Sequence, residues 1–432
     1  MGGELIFVIA FGGVAIWLAS MQRRRRMKRW EEAVVACGLK IEEAPEGLMP
    51  RLKARAGPVT VRIQPFGDKG HSTRIMVQVP VPPDFHNVKI QPQWMAMFGR
   101  EAEIGDRSFD DAFFLQGPTR LVFALLDART RGLMMELKEK SQFSIASGEL
   151  RSIVNNDEKL PRVLRLLLDL GKRITPPFNV VERLVENAGQ DSDPGVRLQN
   201  LLLLIRELSW SPETDGALRT ACSDPVPEIR LRAAKQLGAE GRAVLLDLAE
   251  KLEDDGVSAE ALSILGAELP FERVDAILHL ALRRRRLLSA HACLGRMASH
   301  GAAAVDRLAK VLDRESGELA PAAAEALGAT GSPAAEPALI QALQRDEAEV
   351  KVAAANALGR VGSTAAVLPL KEAAEPFDLD LRRATRQAIA EIQSRVQGAS
   401  PGQLSLADGE AGQLSLADQS GQLSLPPEER PA

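Results

Sequence analysis

Between Asn179 and Val396 the apolar positions recur with one spacing. Leu237, Leu265, Leu294, Leu327, Leu358 and Ile389 stand 28, 29, 33, 31 and 31 residues apart. Four residues before each lies a small side chain: Ala233, Ala261, Ala290, Ala323, Ala354 and Thr385. Eight residues before lies a large apolar one in five of the six copies, Ile229, Val257, Leu319, Val350 and Leu381, with Arg286 the exception. Such positions line one face of an α-helix, and the small residue at its middle lets a neighbouring helix come close. Residues 243–252, 274–284, 303–312, 337–346 and 366–375 carry a second apolar helical pattern, each ahead of an anchor helix. A helix in each half of a period of about 30 residues predicts a mainly α fold, an α-solenoid of stacked helix pairs. A weaker copy upstream, with Val196, Asn200 and Leu204, brings the expected array over residues 178–396 to about seven pairs.

Acidic residues gather in the turn ahead of most anchor helices: Asp224 and Glu228, Asp254 and Asp255, Asp346 and Glu347, Asp378 and Asp380. Carboxylates there cap free backbone N–H groups and favour the positive end of the helix dipole. Asp193-Pro194 mirrors Asp224-Pro225. Glycine follows five of the anchors (Gly238, Gly266, Gly295, Gly328, Gly359), which predicts left-handed residues closing those helices. At these residues the array resembles HEAT repeats, in particular the Ala-rich kind called PBS-lyase-like. The resemblance covers about half of the chain and implies fold far more than activity. Proteins with PBS-lyase-like repeats include some that attach or detach tetrapyrrole chromophores, so it also implies an enzymatic alternative, a chromophore-lyase-related protein. No acid or thiol constellation in the chain supports that alternative.

The N-terminus is different. Leu5 to Met21 contains no charged residue, a run of 17, at the short end of the roughly 17–25 residues that span a bilayer. Six cations follow it, Arg23, Arg24, Arg25, Arg26, Lys28 and Arg29, whereas only Glu4 precedes it. A secretory signal has the opposite charge order. The positive-inside rule then predicts a single-pass anchor over residues 1–29 with the N-terminus outside. The bulk of the chain is expected on the cytoplasmic side of the inner (plasma) membrane.

Residues 30–175 change period and predict a smaller α+β domain. Trp30 to Cys37 reads as a short helix. Val59, Val61 and Ile63, then Ile75, Val77 and Val79, alternate as two strands of a hairpin turning near Gly67 to Gly70. Further expected elements are an extended piece from Val88 to Gln93, a helix from Thr119 to Lys138, a hairpin turning at Ser147-Gly148, and a helix from Lys159 to Lys172. Pro176-Pro177 leads into the repeats.

Composition narrows the chemistry. A net charge of −4 does not point to nucleic acid, and acids and alanines rather than basic rows recur along the repeats. Three widely spaced cysteines, Cys37, Cys222 and Cys293, predict reduced packed thiols rather than a disulfide framework. The five histidines form no metal-ligand spacing; His291 and Cys293, two apart, fall on different helix faces. Asp106, Asp110 and Asp111 form an acidic cluster interleaved with Phe109, Phe113 and Phe114, which reads as a turn with capping acids. No Gly-rich phosphate loop and no nucleophile elbow stands out. No catalytic residue, cofactor or metal is therefore assigned, and the enzyme question leans to no; a small-molecule ligand is disfavoured.

Two stretches remain as candidate partner-binding sites. Arg283, Arg284, Arg285 and Arg286 fall between the two helices of one repeat. They are either an anion-binding edge or, more plainly, a solvated turn with its stems packed along neighbouring helices. The second is the tail, residues 397–432, expected to be disordered. It repeats GQLSL three times, placing Gln403, Leu404 and Leu406, then Gln413, Leu414 and Leu416, then Gln422, Leu423 and Leu425. Repetition raises effective concentration for a multivalent partner. The phrase resembles the start of the peptide by which bacterial replication and repair proteins dock on the sliding clamp. Ala407, Ala417 and Pro426 stand where that peptide carries an aromatic anchor, so clamp or DNA association stays an alternative. The leading expectation is a non-enzymatic, membrane-anchored scaffold that binds protein partners.

Overall fold

The computed structural model describes residues 2–44, 50–67, 74–95, 101–175, 178–209, 211–374, 378–395, 404–406 and 414–416. The chain divides into two compact units, Met1–Leu237 and Gly238–Ala432.

The first unit opens with α1 (Gly2–Ala36), one helix of 35 residues. The short helix expected at Trp30–Cys37 is the end of this longer one, because no Gly or Pro interrupts the chain after Gly13 until Gly38. Trp30, Ala33 and Val34 are buried, and the Trp30 indole donates to Asp157 Oδ1 at 3.3 Å. Asp157 also pairs with Arg26 and Arg29 of the basic cluster, at 3.4 and 3.7 Å. Among the described residues no helix is long and apolar enough to cross a membrane. Most side chains of the apolar run, residues 5–16, 18 and 19, lie outside the described ones.

There follow β1 (Lys40–Glu43), β2 (Leu52–Ala56), β3 (Val59–Pro65), β4 (Ile75–Pro80), β5 (Lys89–Pro92), α2 (Arg107–Asp110), β6 (Phe113–Gln116), α3 (Thr119–Leu125), α4 (Ala128–Lys140), β7 (Gln142–Ala146), β8 (Glu149–Val154) and α5 (Leu160–Arg173). The strands form one antiparallel sheet in the order β1-β2-β3-β4-β8-β7-β5-β6. Val59, Val61 and Ile63 of β3 and Ile75, Val77 and Val79 of β4 are buried, as their alternation requires. Ser147 and Gly148 both take positive φ, 54° and 76°, the geometry of a tight two-residue hairpin. α5 buries Leu160, Val163, Leu164, Leu167 and Leu170, and packs against β3, β4 and β8.

The single helix expected from Thr119 to Lys138 is two. The chain breaks at Leu126, and Asp127 caps α4 by accepting from the Thr130 amide at 2.7 Å. Asp127 also pairs with Arg173 and with Arg183, the latter at 2.9 Å. A charged residue that serves two other elements wins over continued helix.

Four helices complete this unit: α6 (Val180–Gln190), α7 (Pro194–Leu208), α8 (Pro212–Ala221) and α9 (Pro227–Leu237). They form two helix pairs, with α6 on α8 and α7 on α9. Val196, Asn200 and Leu204 are buried as the weaker copy predicts. The α+β elements and these pairs share one core, joined by α3 on α6. Gly105 and Gly195 meet backbone to backbone: a Cβ on Gly105 would lie 2.4 Å from the Gly195 carbonyl carbon.

The second unit holds five pairs. They are α10 (Arg242–Lys251) with α11 (Asp255–Leu265), α12 (Phe271–Arg283) with α13 (Leu287–Ala298), α14 (Val305–Arg314) with α15 (Leu319–Ala329), α16 (Glu336–Ala342) with α17 (Ala348–Val361), and α18 (Val367–Ala373) with α19 (Leu379–Arg395). Seven helix pairs are thus present among the described residues, as the periodicity predicts. Within this unit α11, α13, α15, α17 and α19 pack successively on one another. Ala261, Ala290, Ala323, Ala354 and Thr385 are buried at those contacts. In the tail, β9 (Leu404–Leu406) and β10 (Leu414–Leu416) pair antiparallel, so these two segments are strands where the sequence predicts disorder.

Three of the five expected terminal glycines do not end their helices. Gly238 and Gly266 do take positive φ, 58° and 66°. Gly295, Gly328 and Gly359 instead lie inside α13, α15 and α17, which run past them. A Cβ on Gly328 would sit 2.7 Å from Ala357 Cα, and one on Gly359 would sit 3.2 Å from Ala388 Cα. Those two glycines let consecutive helices touch. Gly295 is exposed with nothing within 4 Å of such a Cβ.

The caps also differ from expectation. Asp254 and Asp378 do cap their own helices, accepting from Val257 and Leu381 amides at 2.9 Å each. Glu347 makes no cap and pairs with Arg345 at 2.7 Å. Asp255 reaches the next repeat, accepting from the Leu288 and Ser289 amides at 3.0 and 2.9 Å and from the Ser289 hydroxyl at 2.7 Å. Arginines close helix C-termini over the same span. Arg284 donates to Lys251 O at 2.7 Å and Arg286 to Glu253 O at 3.3 Å. Arg345 donates to Leu312 O and Glu315 O, and Arg395 to Gly359 O and Gly362 O.

Two outcomes are expected. Gly328→Ala forces α15 and α17 apart and lowers stability by about 1–3 kcal/mol, whereas Gly295→Ala in open space raises it by up to about 1 kcal/mol; opposite shifts of the urea midpoint check this. Asp255→Ala costs about 1–2 kcal/mol near neutral pH. Burial pushes the Asp255 carboxyl up, but the Ser289 hydroxyl and the Ser289 and Leu288 amides hold it below its ordinary value. A depressed folded value stabilises above the unfolded value of about 3.9, and that contribution fades as pH falls through the folded value. The midpoint difference between the two chains should therefore shrink in acid.

Candidate functional site

α15, α17 and α19 present equivalent positions 31 residues apart along one open groove of about 750 Å³. Its floor is small: Ala322, Ala353 and Ala384, all buried. One exposed row is acidic, Glu318, Glu349 and Asp380, and the opposite row is polar, Glu325, Asn356 and Gln387. Asp378 adds a fifth carboxylate, against Arg383 and His291 as the basic side chains. Among the described residues Glu318, Glu325, Glu349 and Asp380 have no ion-pair partner. The geometry follows from the helix period: with every anchor leucine inward, residues nine and two positions before it emerge at the surface. The groove was not singled out from the sequence, although the same 31-residue spacing carries its rows.

Chemically the groove offers carboxylates and amides over a shallow apolar strip. Its described lining holds no thiol, hydroxyl or amine nucleophile. Such a surface suits a cationic, extended or helical segment held by charge-assisted contacts.

The arginine turn is placed elsewhere in this unit. Arg284 and Arg286 are engaged by the carbonyls of Lys251 and Glu253, while Arg283 and Arg285 are exposed, Arg285 at a φ of 53°. Arg284 and Arg286 thus hold backbone carbonyls at the end of the first helix of the preceding pair. Of the tail residues, Leu404, Leu406, Leu414 and Leu416 are described by backbone only. Gln403, Gln413, Gln422, Leu423 and Leu425 lie outside the described residues.

The acidic cluster at Asp106 is a turn. Asp106 accepts from the Phe109 amide at 3.2 Å and the Ser108 hydroxyl at 2.7 Å, and pairs with Arg131 at 2.8 Å. Asp110 accepts from the Ile104 and Gly105 amides at 3.1 and 3.0 Å. Among the described residues no group of three or more metal-ligating side chains is gathered. Cys293 is buried, and burial pushes its thiol up to about 12; Cys37 and Cys222 are half-buried and also raised by burial. His300 stacks edge-on against Phe271 at 5.7 Å.

Residues 305–390 match the family model described as HEAT repeats. No curated protein matches the chain. Among solved structures, human deoxyhypusine hydroxylase in complex with glycerol is similar at 19% identity, over 50% of this chain and 96% of that one, with a TM-score of 0.23. A likeness that loose carries no argument. The groove's three helices fall within or overlap the matched segment, and the segment 305–390 is a run of HEAT repeats.

Proposed function

We propose that the chain is a non-enzymatic protein-interaction scaffold that holds a cationic segment of a partner in the α15–α17–α19 groove. The observation that supports this is the repeated row of Glu318, Glu349 and Asp380, exposed and without ion-pair partners among the described residues, above a strip of buried alanines. Carboxylates left unpaired at fixed spacing on stacked helices match a partner with cations at intervals. HEAT repeats belong to a class of stacked-helix arrays that bind through extended surfaces, which is a fold-level analogy.

The reading includes a membrane address. The uncharged run from Leu5 to Met21 followed by six cations favours a single-pass anchor, N-terminus outside, with both units on the cytoplasmic side. The repeated QLSL phrases of the tail would then add avidity for a multivalent partner.

A fluorescently labelled nona-arginine peptide and the full chain test the groove by anisotropy. Binding should weaken steeply from low to physiological salt, and Glu349→Lys with Asp380→Lys should weaken it about tenfold or more, since each exposed ion pair lost is worth up to about 1 kcal/mol and the reversed charges repel the peptide. Binding that ignores the charge reversal would sink the groove reading. The anchor is tested separately: the full chain should stay with membranes after alkaline carbonate washing, and its release would remove the membrane address.

A further inference from the structure

The turn entering α13 reverses the in-and-out pattern of its siblings. At three successive equivalent positions the later repeats carry Leu319-Ala320-Pro321, Val350-Lys351-Val352 and Leu381-Arg382-Arg383. Here they are Arg286-Leu287-Leu288. The first position is buried in the siblings, whereas Arg286 is half-buried and turns to Glu253 O. A slip of one residue would have hidden Leu287 in that place. It does not occur: Leu287 is 51% exposed and Leu288 58% exposed.

The frame around these leucines is fixed. Asp255 already accepts the Leu288 and Ser289 amides, so the helix N-terminus is occupied by a carboxylate of the chain itself. Arg284 and Arg286 are tied to the preceding repeat. Arg283 and Arg285 are exposed, with no ion-pair partner among the described residues. On the adjacent turn Glu253 and Asp254 are exposed acids, outnumbered by the four guanidinium groups. Lys251 is engaged with Asp247 at 2.8 Å.

We propose that Arg283–Leu288 is a contact site for an anionic lipid surface. Guanidinium groups beside two exposed leucines on one turn match a charged headgroup layer over acyl chains, the leucines entering the boundary while the arginines meet phosphate. An acidic protein segment would account for the arginines and leave the leucines unexplained. The proposal does not depend on the groove or on its cationic partner.

The test places a reporter at the turn of the full chain. Leu288→Trp is read against the unsubstituted chain on phosphatidylglycerol-containing and on pure phosphatidylcholine vesicles, so that any insertion of α1, common to both, cancels. The added tryptophan should shift to the blue on the anionic vesicles alone. Arg283→Glu with Arg285→Glu should weaken that response about tenfold or more, because each arginine near such a surface contributes about fivefold. Circular dichroism checks folding of the reversed chain, and Arg283→Gln with Arg285→Gln gives the same reading with a milder change. An equal shift on both vesicle types, or none on either, overturns the proposal. A shift with polyglutamate in solution but not on vesicles also overturns it and assigns the turn to an acidic protein.

Discussion

The structure of the second unit depends on how closely consecutive helices can approach. Ala261, Ala290, Ala323 and Ala354 are buried where those helices cross, and no larger side chain fits at Gly328 against Ala357. Close stacking has a consequence for hydrogen bonding. Short helices leave many amides and carbonyls without intrahelical partners. With neighbours this near, a side chain in one repeat reaches the helix end of the repeat before or after it. Asp255 therefore serves α13, and Arg284 and Arg345 serve α10 and α14.

The first unit solves a related problem with buried charge. Arg131 lies between Asp106 and Asp191, at 2.8 Å from each, and donates to Leu126 O at 2.9 Å. Burial alone would lower the Arg131 value, but Asp191 and Asp106 raise it overall. Arg197 pairs with Asp224 at 2.8 Å and donates to Asp191 O at 2.9 Å. Replacing either partner would strand a buried charge, so these contacts fix where α4, α6 and α7 meet more than they add to stability. Asp106 stood out in the sequence as part of a tempting cluster. Its charge belongs to this junction.

The arginine turn and the acidic groove show how a repeat produces surface chemistry. The anchors Leu265, Leu294, Leu327 and Leu358 and the small residue four before each are buried, so these positions are constrained. The positions that emerge are free to vary, and in α15, α17 and α19 they vary little in sign, giving a continuous acidic row. In α13 the same freedom yields the opposite character, arginines and leucines together.

Much of the fold was legible because burial is periodic. The spacing of Leu265, Leu294, Leu327 and Leu358 with their alanines located the paired helices, and the alternation of Val59, Val61 and Ile63 located a strand. Elements without a clear period were missed: β1, with four exposed residues, and β6, buried along most of its length, read as neither strand nor helix. The break at Leu126 was hidden because Asp127 acts through Arg173 and Arg183, some 46 and 56 residues away. The sequence by itself determined the period, the pairing of helices and which face of each is buried, since those follow from local spacing of apolar side chains. Only the tertiary structure decided that Gly328 spaces two helices rather than ending one, that Asp255 caps a neighbour, and that Leu287 and Leu288 face outward. Each of these rests on an atom one repeat away in the chain, and local spacing carries no record of it.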